Sequence, residues 1–249
     1  DFVSNATNAR DGNGRDSNAA DQGDWTTAGQ CYAGSPASNS SWHGTHVAGT
    51  VAAVTNNAKG VAGTAFNAKV MPVRVLAACG GSTSDIADAI IWSSGGTVSG
   101  VPTLSAANGA DVINMSLGGG GACPTTTQNA INGAVSRGTT VVVAAGNSNA
   151  NASGFTPASC ANVVNVASVN SASARSSFSN YGTLIDVSAP GSSILSTLNS
   201  GTTTPGAESY ASYNGTSMAS PHVAGAVALV QSRRLALGLA MYTPAQVET

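Results

Sequence analysis

The chain has 249 residues, of which 42% are hydrophobic, and this is enough for one domain with a core of its own. Only 8% of the residues are charged and the formal net charge is −2, which argues against nucleic acid or an anionic membrane as a partner. No apolar run is long enough to span a bilayer. The surface must be built from Ser, Thr, Asn, Gly and Ala, a composition more typical of exported than of cytosolic proteins. The first ten residues lack the pattern of a signal peptide, so an export signal would lie upstream of Asp1.

The hydrophobic pattern predicts helices and strands in alternation after a polar, turn-rich stretch of forty residues. The predicted helices are 43–54, 84–94, 125–138 and 217–234. The predicted strands are 68–76, 111–117, 139–147, 163–169 and 184–190. Strands of continuous Val, Ile and Ala that alternate with helices predict an α/β fold, with a doubly wound, mostly parallel sheet and helices on both faces. No linker marks a second domain, so residues 1–249 are expected to form one.

Four cysteines are widely spaced along the chain, at Cys31, Cys79, Cys123 and Cys160. None belongs to a C-x-x-C pair, which argues against a zinc ribbon or a thioredoxin-type site. An even number at wide spacing favours two disulfides in an oxidising compartment, and four buried free thiols are the alternative. The sequence alone leaves three pairings open.

Ser217 lies in the stretch NGTSMASPHVAG, between small residues and at the start of a predicted helix. The segment G-T-S-M-A resembles the nucleophile elbow of α/β-hydrolases, and an esterase is therefore one hypothesis. That fold requires its acid and its histidine to follow the serine in the chain. After Ser217 there is no aspartate, and His222 comes only five residues later, where a helix points it away from the serine. The esterase hypothesis fails on its own requirements.

A general base for Ser217 is available in W-H-G-T-H-V-A-G, which contains His43 and His46. The small neighbours of His43 leave room for a substrate beside its ring, as a general base requires. His46 lies one helical turn further on, without the i, i+4 spacing and the glutamate of a zinc site, and we interpret it as a packed structural histidine. Acyl chemistry also needs donors for an oxyanion. Asn147, which ends a buried strand, and the N–H of Ser217 at a helix start are the candidates.

The segments HGTHVAGT, SLGG, AAGN and NGTSMASPHVAG, in this order and at these spacings, resemble the subtilisin-like serine peptidases, or subtilases. The long insertion before the histidine and the four cysteines resemble the secreted, disulfide-containing bacterial branch of that family. The resemblance runs along the whole chain. It implies that His43 is the general base, Ser217 the nucleophile and Asn147 the oxyanion donor.

The same resemblance implies how a substrate is held. Ser116, Leu117 and Gly118 would pair with the substrate backbone as an added strand, which grips peptides of any sequence. Ala144, Ala145 and Gly146 would line the pocket for the residue before the scissile bond, and their small size implies an open pocket that favours large apolar side chains. The family pattern also implies a cis peptide bond between Thr156 and Pro157. It implies the disulfide pairs Cys31–Cys79 and Cys123–Cys160.

One part of the family pattern is missing, because the subtilase order is Asp, His, Ser, with the aspartate in D-[ST]-G at the end of an apolar strand. None of the five aspartates before His43 fits, and Asp16-Ser17-Asn18, which comes closest, has flanks that cannot form a buried strand. Two hypotheses follow. The chain is a partial catalytic domain whose N-terminal strand and aspartate lie upstream of Asp1, or it is a degenerate relative that only binds peptides.

The acidic insertion 11–24 suggests a structural calcium ion. Asp11, Asn13 and Asp16 place oxygen ligands at alternating positions, with glycines for tight turns. Arg15 occupies a would-be ligand position and no glutamate ends the loop, so the pattern departs from an EF-hand; a solvated polar loop is the alternative. Taken together, the sequence predicts a secreted, monomeric serine endopeptidase that acts on protein and peptide substrates and has no nucleic-acid or membrane partner.

Overall fold

Six α-helices and eight strands form the regular structure of the part of the chain that the computed structural model describes, which is residues 1–249 apart from the side chain of Ala106. The helices are α1 (Ala6–Ala9), α2 (His43–Ala52), α3 (Thr83–Ser93), α4 (Thr125–Ser136), α5 (Thr216–Ala236) and α6 (Pro244–Val247). The strands are β1 (Val112–Met115), β2 (Gly119–Gly120), β3 (Thr140–Ala144), β4 (Phe155–Thr156), β5 (Val164–Val169), β6 (Val187–Pro190), β7 (Ile194–Asn199) and β8 (Glu208–Tyr213). Two 3₁₀ turns, Ala106–Asn108 and Ala152–Gly154, lie in connections.

A parallel sheet of four strands, in the order β1-β3-β5-β6, forms the centre of the fold. The sequence of β3 is continuously apolar because both of its faces are covered. Val141 and Val143 pack into a core cluster with α3 and α4, whereas Val142 packs on the other side with α5. The predicted α/β class, with helices on both faces of a mostly parallel sheet, is confirmed.

The helices form two layers, with α2 beside α5 on one face of the sheet and α3 beside α4 on the other. The four predicted helices are present, with ends shifted by at most two residues. An antiparallel hairpin, β7–β8, packs against α2. Because α2 and α5 lie side by side, His43 at the start of α2 and Ser217 at the start of α5 are carried by one helical layer. Among the described residues, no helix has both the length and the apolarity that a bilayer crossing requires.

The predicted strand 68–76 is wrong, because this segment forms no ladder in the structure. It has no strand beside it to pair with. A cavity of about 1510 Å³ separates it from β1, the edge strand of the sheet, and both line that cavity. Its Val73 and Val75 pack instead beside a small core cluster that contains Phe2. The apolar pattern of 68–76 is that of a sheet strand, but no strand among the described residues lies beside this segment to pair with it.

The first forty residues are mostly loop, as predicted, and ion pairs attach them to the rest of the fold. The buried Arg74 bonds through Nη1 to a carboxylate oxygen of Asp1 and one of Asp11, each at 2.8 Å, with side-chain exposures of 5%, 0% and 7% respectively. Arg15 bonds to Asp85 of α3 at 2.6 Å. Both disulfides implied by the family resemblance are present and join distant loops: they are Cys31–Cys79 and Cys123–Cys160.

Replacing Arg74→Ala leaves the carboxylates of Asp1 and Asp11 buried without their shared cation. We expect the free energy of unfolding to fall by about 3–5 kcal/mol, the usual cost of breaking a buried ion pair from one side. Denaturant unfolding measures it. The control is Lys59→Ala, which removes an ion pair with Glu208 on the exposed surface and should leave the unfolding midpoint unchanged. Equal midpoints for Arg74→Ala and the wild type would contradict the anchoring role of Arg74.

Candidate active site

Ser217 lies in the first turn of α5, next to the carboxyl end of β1. Its Oγ donates to the backbone carbonyl of Ser116 at 3.4 Å, and its own carbonyl accepts from the Oγ of Ser116 at 2.8 Å. Asn114 donates from Nδ2 to the same Ser116 Oγ at 2.9 Å, while its Oδ1 accepts from Ser220 at 2.7 Å. This chain of side chains fixes the start of α5 against the end of β1. The Asn114–Ser116 network therefore holds Ser217 through the backbone carbonyl of the serine and not through its hydroxyl.

His43 is the first residue of α2, and its ring lines the large cavity beside β1. Burial lowers the pKa of His43, the charge of the neighbouring His46 lowers it further, and the Asp24 carboxylate raises it. The net lowering favours the neutral imidazole at neutral pH, the form that a general base needs. The side chain is only half-buried, so a substrate has access to it.

His43 and Ser217 line two adjoining cavities. His43 lines the large one and Ser217 lines a second cavity of about 300 Å³, and both cavities share Leu117, Gly118, Gly119 and Thr156 as walls. No hydrogen bond within the described part of the chain joins the His43 ring to Ser217. Hydrogen bonds between a nucleophile and its base are often long without substrate and tighten in the complex.

Asn147 and Thr216 lock the loop after β3 to the start of α5. The Oδ1 of Asn147 accepts from the N–H of Thr216 at 2.8 Å and from its hydroxyl at 2.9 Å. The Thr216 hydroxyl in turn accepts from the N–H of Gly146 at 3.0 Å. The Nδ2 of Asn147 has no protein acceptor among the described residues, and Asn147 lines the cavity that Ser217 also lines. A side-chain amide donor beside such a cavity can donate to an oxyanion.

The smaller cavity is a pocket next to Ser217, and five of the six residues predicted to hold a substrate line it: Leu117, Gly118, Ala144, Ala145 and Gly146. The sixth, Ser116, lines the larger cavity and binds Ser217 instead. One wall of the pocket is a short antiparallel pair, in which Gly119–Gly120 pairs with Phe155–Thr156. The peptide bond between Thr156 and Pro157 is cis, as the resemblance implied.

Phe155 is a pocket residue that the sequence did not single out. A Cβ placed on Gly146 would lie 3.9 Å from Phe155 Cδ1, so the aromatic ring lies near Gly146. Phe155 therefore adds an aromatic side chain to the row of Ala and Gly residues that line the pocket.

Asn180 organises the loop that carries Asn147, and no sequence pattern pointed to this residue. Its side chain is fully buried. Its Oδ1 accepts from the N–H groups of Ser148 at 2.9 Å and of Ala150 at 3.2 Å, while its Nδ2 donates to the carbonyl of Ala145 at 2.8 Å. Gly146 has φ +101, and a Cβ there would lie 2.3 Å from Asn180 Nδ2, so only glycine fits.

His46 is buried one turn after His43, as predicted for a structural histidine. Its Nε2 lies 3.0 Å from the carbonyl oxygens of Ile194 and Ala211, and its ring stacks on Tyr213 with 4.5 Å between ring centroids. These contacts join α2 to both strands of the β7–β8 hairpin.

The predicted calcium ligands are already engaged with protein donors. Asp11 accepts from Arg74 and from the N–H of Asn13, and Asp16 accepts from the Nδ2 of Asn13 and the N–H of Asn18. Within the described residues, no three His, Cys, Asp or Glu side chains gather as a metal site would require. As arranged, Asp11, Asn13 and Asp16 do not fit a ready cation cage, and calcium at this loop stays a prediction.

No carboxylate hydrogen-bonds to the ring of His43 in the described chain. Of the five aspartates that precede it, Asp24 comes near enough to raise its pKa, but both Asp24 oxygens accept from Ser41. The space beside His43 is instead the large cavity, which runs between the unpaired edge of β1 and the segment 68–76.

Comparisons with known proteins find the chain similar to extracellular proteases. The chain is 74% identical over 249 residues to an extracellular protease of Xanthomonas campestris, which covers 100% of this chain and 42% of that protein. It is 49% identical over 252 residues to an extracellular basic protease of Dichelobacter nodosus, covering 99% of this chain and 41% of that protein. A solved protease structure from Pseudoalteromonas arctica superposes with a TM-score of 0.95 at 57% identity, covering 99% of this chain and 73% of that one.

The fold and the cleft thus define an α/β protein related to extracellular proteases. The family model that matches residues 6–249 is that of the subtilase family, and the chain belongs to this family. It spans about two fifths of the length of the two curated relatives described above.

The variant Asn180→Ala removes one acceptor and one donor from the loop after β3. The N–H groups of Ser148 and Ala150 and the carbonyl of Ala145 then lose their buried partner, and we expect the free energy of unfolding to fall by about 3 kcal/mol. Thermal and denaturant unfolding measure the change. The control Asn149→Gly removes an exposed bond to Arg175 in the same loop and should cost little, because glycine accepts the left-handed backbone at this position (φ 49). If the two variants unfold at the same midpoint, Asn180 does not organise this loop.

Proposed function

We propose that this chain is the catalytic part of an extracellular serine endopeptidase with broad specificity. The observation that carries the proposal is that Ser217 and Asn147 line one cavity and His43 lines the adjoining one, in a chain of the subtilase family. The names of the relatives support an extracellular protease. The proposal includes a monomer that acts on protein and peptide substrates and has no nucleic-acid or membrane partner.

In the proposed reaction, Ser217 Oγ attacks the carbonyl carbon of the scissile peptide bond and His43 takes its proton. The oxyanion of the tetrahedral intermediate accepts hydrogen bonds from Asn147 Nδ2 and from the N–H of Ser217. His43 then gives the proton to the leaving amine, and water hydrolyses the acyl-enzyme by the same steps in reverse. The network around Ser116 fixes the serine before the substrate arrives, which reduces the entropic cost of the attack.

Substrate binding follows from the two walls of the cleft. Ser116, Leu117 and Gly118 offer backbone groups to an extended peptide, a mode of recognition that does not depend on its side chains. The apolar pocket of Ala144, Ala145 and Gly146 favours a large apolar side chain before the scissile bond, and Phe155 on the pocket wall limits how deeply that side chain enters.

A carboxylate for His43 comes, in this proposal, from a strand outside the sequence described. A parallel strand inserted into the large cavity would pair with β1, make the segment 68–76 a strand of the same sheet, and end beside His43. The unpaired edge of β1 and the apolar segment opposite it support this placement. The rival proposal is a degenerate relative that keeps the cleft, binds peptides and lacks the acid.

Substituting Ser217→Ala should abolish covalent labelling by a fluorophosphonate and all peptide hydrolysis, because the nucleophile is removed. Mass spectrometry of the labelled protein measures it. The control Ser232→Ala lies on the exposed far end of the same helix and should label like the wild type. Labelling that persists in Ser217→Ala would refute the assignment of the nucleophile.

The chain 1–249 alone should hydrolyse peptides only weakly. In subtilisin, loss of the triad aspartate lowers kcat by about 3 × 10⁴, and we expect a gain of similar size when the native residues upstream of Asp1 are added. A fluorogenic peptide assay compares the two forms, with a third form that carries Asn in place of the added aspartate as control. Near-normal turnover by 1–249 would show that it needs no further acid, and an inactive extended form would favour the peptide-binding relative.

A further inference from the structure

The segment just before α2 holds an unusual backbone. Trp42, the residue at the N-cap of α2, has φ 47 and ψ 30, a left-handed conformation that is uncommon for a bulky residue. Its side chain makes no capping hydrogen bond to the helix. The conformation must therefore be maintained by neighbouring contacts, because it costs free energy that an isolated chain would avoid.

The buried Trp42 side chain donates from Nε1 to the Gly201 carbonyl at 2.6 Å, and Asp24 supplies further contacts through Ser41. Its Oδ1 accepts from the N–H of Ser41 at 2.6 Å and its Oδ2 from the Ser41 hydroxyl at 2.7 Å. The Ser41 Oγ then accepts from the N–H of His43 at 3.3 Å, which caps one of the free donors at the start of α2. Tyr213 donates its hydroxyl to the Ser41 carbonyl at 2.7 Å, so Ser41 is held at its N–H, its side chain and its carbonyl.

We propose that Asp24 is a positioning residue for His43, and that it fixes the Ser41–Trp42 turn from which the base starts. This inference rests on the proposed peptidase function. It differs from a triad role, because both oxygens of Asp24 bind Ser41 and neither bonds to the imidazole. Orientation passes from the carboxylate through Ser41 to the first residue of α2. A base displaced by about 1 Å loses about a hundredfold in rate, so a fixed turn at this point matters for catalysis.

The charge of Asp24 has a second effect on the same histidine. It raises the pKa of His43 against the lowering by burial and by His46. The uncharged imidazole is the active form, so the acidic limb of the kcat/KM profile follows the pKa of His43 in the free enzyme. Removing the charge lowers that pKa and shifts the limb to lower pH. The other charged residues that line the cavity are Asp21, Lys69, Arg74 and Asp111, while Tyr213 packs on His46 and bonds to Ser41.

The test compares Asp24→Asn with Asp21→Asn in the full-length protease. Asp21 lines the same cavity and carries the same charge, but it accepts only from the N–H of Gly23 at 2.8 Å and has no contact with Ser41. We expect Asp24→Asn to lower kcat by about ten- to a hundredfold and to move the acidic limb to lower pH. Asp21→Asn should keep the kcat and the limb of the wild type.

A purely structural role would lower the melting temperature of Asp24→Asn but leave the acidic limb and the kcat of the folded fraction unchanged, and this result would overturn the proposal. So would an equal shift of the limb in both variants, because a general field would then explain it. A titration of the His43 ring by NMR gives the pKa without any turnover. If the wild type hydrolyses nothing, the proposed function has failed, but the NMR titration still tests the role of Asp24. A pKa of His43 that is lower in Asp24→Asn but not in Asp21→Asn supports the proposal. An unchanged pKa in Asp24→Asn overturns it.

Discussion

The site depends on how the start of α5 is attached to the ends of the central strands. Ser116 at the end of β1 binds the carbonyl of Ser217, and Asn147 after β3 binds Thr216 twice. These bonds join the two strands and the helix at the edge of a parallel sheet where loops meet and ligands bind. The proposed nucleophile Ser217, the proposed oxyanion donor Asn147 and the pocket residue Gly146 are therefore attached to the same turn of α5 by hydrogen bonds.

His43 reaches this unit from α2, which packs beside α5 and is fixed separately. Within α2, His46 contacts two carbonyl groups of the β7–β8 hairpin. In the turn before α2, Ser41 donates to Asp24 and accepts from Tyr213. The proposed base, His43, and the proposed nucleophile, Ser217, are thus held by different sets of contacts. The distance between them depends on how α2 packs beside α5. In the proposed function, a substrate can shorten that distance without breaking either set of contacts.

Much of the fold followed from the sequence because the central strands are buried on both faces and their apolar runs are unbroken, as in Val141–Val143. The serine and histidine segments followed because their small residues are needed for access. Segment 68–76 was mispredicted, since a strand is defined by a neighbour and not by its own apolar residues. Asn180 and Phe155 were missed because each acts through residues distant in the chain. Protein donors, including the buried Arg74, bind oxygens of Asp11 and Asp16, and calcium at this loop stays a prediction.

The unpaired edge of β1 has a consequence for handling the chain. An open strand edge beside an apolar groove offers backbone donors and acceptors to any extended segment, including one from another copy. A chain in this state is expected to be prone to self-association in concentrated solution. In the proposed arrangement, the strand that pairs with β1 would reduce self-association and would also bring an acid to His43. Colloidal stability and catalytic competence would then be gained together.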